Sequence, residues 1–140
     1  MTKPTLKNPL IGLLLIAVTS CSFTKGKRIA EGGVAQFHNQ YNSAQFHAIY
    51  NQADEGFRKG DTEASLVEHF EALQRKLGAV KQTNQTSWQT NTTPAGTVVT
   101  LNYDTEFTEG KGTEKFIFHV AGDKALLYSY NVNSPLLITK

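Results

Sequence analysis

A chain of 140 residues, 39% of them hydrophobic, has the length for one domain with a modest core. Its 14 basic and 12 acidic residues leave a formal charge of +2, and no basic stripe with interleaved aromatics accompanies it, which argues against a nucleic-acid partner. A single cysteine excludes an internal disulfide.

At the N-terminus Lys3 and Lys7 precede the apolar run Leu10 to Val18, the layout of a secretory signal peptide and shorter than the ~20 residues of a membrane-spanning helix. Val18-Thr19-Ser20-Cys21 resembles the bacterial lipobox, in which the cysteine is lipidated and becomes the first mature residue. That resemblance implies a signal peptide at 1–20, membrane attachment through Cys21, and a lipidated tether over 21–32. With Ser22 following the cysteine, it implies sorting to the outer membrane, facing the periplasm. Loss of Lys3 and Lys7 brings the basic residues to 12, equal to the acidic ones. Lys25, Lys27 and Arg28 are then expected to be charges on a solvated tether.

The domain is expected over 33–140. Val34, Phe37 and Tyr41 form one helical stripe, and Phe46, Ile49, Tyr50 and Ala53 a second beyond the Asn42-Ser43 break. A further helix is expected at about 62–77, with Ser65 and Glu68 as its capping box, Leu66, Phe70, Leu73 and Leu77 as its buried stripe, and Gly78 just past its end. The polar stretch from Val80 to Thr93 reads as an edge strand, so its two glycosylation sequons are taken as ordinary strand polarity.

From Gly96 to Asn133 the period is two. Val99, Leu101, Tyr103 and Phe107 fall on one face, with Thr100, Asn102, Asp104 and Glu106 on the other. A turn at Gly110-Lys111 would set Leu101 opposite Val120 and Tyr103 opposite Phe118. A three-residue turn, Gly122-Asp123-Lys124, would set Val120 opposite Leu126 and Phe118 opposite Tyr128, so that Leu126, Tyr128, Tyr130 and Val132 face the core and Val98, Ile117 and Leu127 the other side.

Helices followed by four antiparallel strands define an α+β fold in which the helices cover one face of a curved sheet. Phe57-Arg58, Lys76-Leu77-Gly78, the strand from Gly96 to Tyr103, Thr113 to Phe116 and the ending from Tyr130 to Ser134 resemble small bacterial proteins similar to the nuclear transport factor 2-like, cystatin-like superfamily. The resemblance spans roughly 33–134 and implies a cone-shaped sheet; it fixes no chemistry, because that superfamily hosts enzymes and binding modules alike.

His38, His47, His69 and His119 lack metal-ligand spacing, so neither a metal nor another cofactor is expected, and His38 and His69 read as surface or boundary residues. Tyr41, Tyr50, Trp88, Tyr103, Tyr128 and Tyr130 are candidates to line a pocket, with Glu114 as the one strand carboxylate on their face. Val98, Ile117 and Leu127 are candidates for a homodimer or envelope-protein interface. The expected role is a membrane-anchored binding or interaction module of unspecified ligand and no catalytic residues; the alternative is a small isomerase- or hydrolase-like enzyme with its site inside the cone.

Overall fold

The computed structural model describes residues 20–138 together with Thr2 and Pro4. The expected signal peptide therefore falls, apart from those positions and Ser20, outside the described residues. Four helices come first: α1 (Ser20–Asn42), α2 (Phe46–Gln52), α3 (Glu55–Lys59) and α4 (Glu63–Leu77). Four strands follow: β1 (Val80–Thr93), β2 (Gly96–Phe107), β3 (Lys111–Ala121) and β4 (Lys124–Asn133), with a 3₁₀ turn at Pro135–Leu137. The strands form an open antiparallel meander in the order β1-β2-β3-β4, and the helices pack on one face, giving the expected α+β class.

Helix α1 is longer than its sequence suggested. The stretch 21–32, expected as a solvated tether, is its N-terminal half, because Ala30 extends the stripe Val34, Phe37, Tyr41 backwards at helical spacing and is fully buried. Gly33 lies where α1 crosses the sheet. A Cβ there would stand 2.8 Å from Phe118 and 2.9 Å from Ala125, so the close approach offsets the roughly 1 kcal/mol of helix propensity that a glycine costs. At the far end, the Asn42 side chain donates to the Val80 carbonyl and accepts from its N–H, joining α1 to the start of β1.

Helix α4 spans the expected residues, but its N-cap is Thr62, whose hydroxyl accepts from the Ser65 N–H, rather than Ser65. Gly78 ends it at φ +75°, a conformation that suits glycine. The chain then binds the β2–β3 turn: Ala79 donates to the Thr108 hydroxyl, Thr108 to the Ala79 carbonyl and Glu109 to the Leu77 carbonyl.

That tie moves the hairpin. Phe107 and Gly110 bond each other across Thr108-Glu109, so Leu101 pairs with Phe116 and Tyr103 with Glu114, four residues from the expected register. The slide is even in number, and every side chain keeps its face. In the next hairpin the turn has two residues, Gly122-Asp123, and a bulge at Tyr128 restores the expected pairing beyond it, with Phe116 opposite Tyr130. Between turn and bulge the expected faces are inverted: Leu127 turns into the core at 6% exposure, whereas Leu126, expected inside, faces out, and at the bulge Tyr128 also turns out at 43%.

Candidate functional site

The face of the sheet under the helices carries one acidic side chain. Glu114 follows the inward parity of Phe116 and Phe118, stands opposite Tyr103 on β2 and Val132 on β4, and its side chain has no exposed surface. An isolated carboxylate there would be costly, and the neighbouring elements supply its donors. The Thr105 hydroxyl donates to Oε1 at 2.5 Å, the Tyr130 hydroxyl to Oε2 at 2.7 Å, and His38 Nε2 on α1 lies 2.9 Å from Oε1.

His38 is itself buried, held edge-on to Phe37 and Phe116. This corrects its reading as a boundary residue. Its position four residues after Val34 carried the signal, since that spacing keeps it on the sheet-facing side of α1. Around the pair the space is filled: the Tyr130 ring centre lies 4.5 Å from that of Phe37 and 5.0 Å from that of Phe116.

The electrostatics match a carboxylate sealed among donors. Burial first, and then the Glu114 charge, hold the Tyr130 and Tyr41 hydroxyls far above the usual tyrosine range. Tyr103 is raised by burial too, against a lowering from its hydrogen bond with Gln85. The Tyr130 and Tyr41 hydroxyls donate, to Glu114 and to the Gly78 carbonyl, while the Tyr103 hydroxyl accepts from Gln85. A general base must reach a substrate proton, and the side chain of Glu114 touches no solvent.

Of the six candidate pocket residues, Tyr130 bonds Glu114, Tyr103 is its register partner on β2, and Tyr41 is buried on α1 with its hydroxyl on the Gly78 carbonyl. The others lie elsewhere. The Tyr50 hydroxyl reaches the Arg58 and Asp61 carbonyls and fastens α2 to the segment after it. Trp88, 45% exposed on β1, has the Lys27 ammonium 5.3 Å from its ring centre. Tyr128 is on the outer face, stacked on His119 with ring centres 4.4 Å apart.

That stacking belongs to a second carboxylate–histidine pair which the sequence did not announce. His119 Nδ1 lies 3.0 Å from Oδ2 of Asp54, the residue that caps α3 by accepting from the Gly56 N–H. The outer face has three part-buried apolar side chains, Val98, Ile117 and Leu126. Leu126, paired with His119, takes the place expected of Leu127, which the two-residue turn has brought inward. Next to them Ser87, Asn102, Lys115 and Asn131 line a groove of about 550 Å³, and a second groove of about 670 Å³ opens over Asp104, Thr113 and Asn133. Glu114 borders the first only through its main chain, because its side chain is sealed on the other face.

Among the described residues no group of three or more His, Cys, Asp or Glu could hold a metal ion, and no helix is long and apolar enough to cross a membrane. Fold and site together define a helix-backed antiparallel sheet with a sealed inner carboxylate and an open outer face. Residues 34–128 match the model of the family described as "Protein of unknown function (DUF4019)", and the chain belongs to that family. A search of curated proteins finds no match.

Proposed function

We propose that this protein is a membrane-anchored lipoprotein of the bacterial envelope, attached through Cys21, whose α+β domain is a binding or protein-interaction module working from its outer sheet face. The observation that carries the module reading is the contrast between the two faces: the inner constellation is saturated and solvent-free, whereas the outer face is open, grooved and amide-rich. Val98, Ile117 and Leu126 at its centre suit a second copy of the chain or an envelope protein. The helices-then-meander order supports kinship with the nuclear transport factor 2-like, cystatin-like superfamily.

The anchor rests on Val18-Thr19-Ser20-Cys21 and the apolar run before it. Fractionation of cells expressing wild type and Cys21→Ala tests it: wild type is expected in the detergent-extracted membrane fraction and processed variant in the soluble one. A processed variant that stays with the membrane overturns the anchor. For the face, sedimentation of wild type against Ile117→Lys is expected to show association that the charge abolishes without unfolding.

A second reading, an isomerase- or hydrolase-like enzyme, is favoured by one observation, the Glu114–His38 contact with the Tyr130 hydroxyl beside it. It needs the aromatic cover of Phe37 and Phe116 to open and admit a substrate.

A further inference from the structure

A cleft of about 950 Å³, separate from the outer-face grooves, runs between α1, the α2–α3 corner and the β3–β4 turn. Three acidic side chains line it and each is already engaged: Asp54 with His119, Glu55 with Lys59 at 2.8 Å, and Asp123 with Lys25 at 3.5 Å. Its three basic side chains, Arg28, Arg58 and Lys124, are exposed and have no carboxylate within ion-pair distance among the described residues. Arg58 lowers the Glu55 pKa through space, but only as a lesser effect behind Lys59. The Gln52 carbonyl oxygen accepts from both Gln36 and Gln40, which leaves its NH₂ as a further donor at the cleft. The result is a concave surface with spare positive charge and spare donors, complementary to an anion with several acceptor oxygens.

Position decides the source of that anion. Arg28 lies seven residues after position 21 in the same helix, a separation of about 10 Å along the axis. We infer that this cleft binds the phosphate headgroup of an anionic lipid of the membrane that holds the protein. The assignment rests on the anchor reading for its choice of lipid over a soluble phosphate. Guanidinium groups suit it, since they engage phosphate oxygens with paired N–H donors. An anchored domain that also grips a headgroup presents a fixed side to the membrane rather than swinging from its lipid.

The test uses the full chain in neutral detergent micelles, titrated with dihexanoylphosphatidylglycerol and, separately, with inorganic phosphate, and compared with Arg28→Gln/Arg58→Gln. The wild type is expected to bind the lipid, more tightly than phosphate, with affinity falling at least about tenfold in the double variant at unchanged thermal stability. Lipid binding equal in wild type and variant, or absent from both, overturns the site. Phosphate bound as tightly as the lipid overturns the membrane source in favour of a soluble ligand. Intact mass of the same sample reads Cys21: an unmodified cysteine with headgroup binding intact overturns the anchor alone, and a lipidated cysteine with no binding overturns the cleft alone.

Discussion

Three carboxylate–histidine pairs occur among the described residues; beside the exposed His47–Glu63 contact on the helices, two involve the sheet and combine nearly the same contact distance with opposite surroundings. Glu114 and His38 meet at 2.9 Å with side chains 0% and 11% exposed; Asp54 and His119 meet at 3.0 Å with side chains 18% and 38% exposed. The first has two hydroxyl donors besides the histidine and is packed in aromatic rings, while the second sits at the sheet margin beside water. Contact geometry alone therefore does not mark a working site. In a low-dielectric interior a saturated carboxylate organises structure, because removal of any partner strands a polar group, whereas a margin pair can exchange its partners for water at little cost.

The widest gap between the two sides of the sheet is expected from neighbouring residues of β3. Phe118→Ala should lose about 3 to 5 kcal/mol of stability, against under about 1 kcal/mol for Ile117→Thr, since only the first empties a core site. Urea melts check this, and similar losses would place both residues on equivalent faces.

Tyr130→Phe sharpens the inner side of the comparison by removing one donor to Glu114, with an expected loss of about 1.5 to 3 kcal/mol at neutral pH. It also carries a pH signature. Burial and the Glu114 charge raise the Tyr130 hydroxyl above its ordinary 10.0, so the folded protein keeps a proton that the unfolded chain releases. Stability present in full below pH 10 is then lost as pH rises beyond it, and the phenylalanine variant should show a flatter decline. Parallel slopes above pH 10 would contradict the assignment.

The smallest effect is expected at Thr90, whose hydroxyl is buried without a hydrogen-bond partner among the described residues. Thr90→Val should raise stability by up to about 1 kcal/mol, read as a higher thermal midpoint, because it removes that hydroxyl and keeps the branched shape.

Much of this arrangement was legible beforehand. Period-two alternation placed Val99, Leu101, Tyr103, Phe116 and Phe118 inside, and it singled out Glu114 as the inward carboxylate; four-and-three spacing found α4 with Gly78 at its end. Parity survives a slide by an even number of residues, so the faces came out right although the β2–β3 register did not. What escaped was set by contacts between distant parts of the chain. The tie from Thr108 to Ala79 fixes the hairpin, the two-residue turn followed by a bulge exchanges Leu127 for Tyr128, and His38 finds Glu114 across 76 residues of sequence. The length of α1 was missed for another reason: 21–32 was expected as a charged tether behind Cys21, and only the burial of Ala30 and the nearness of Phe118 and Ala125 to Gly33 show that the helix runs through it.

The central claim is that Glu114 is a structural carboxylate and that function lies on the protein's exterior. Urea denaturation of Glu114→Gln beside Asp54→Asn tests it most directly. The isosteric change at Glu114 should lower stability by about 2 to 4 kcal/mol, because three donors lose a charged acceptor, and Asp54→Asn should lower it by under about 1 kcal/mol. A carboxylate held in place for catalysis at the expense of stability gives the opposite sign. Glu114→Gln protein as stable as wild type, or more so, would contradict the account and return the inner constellation to candidacy as an active site.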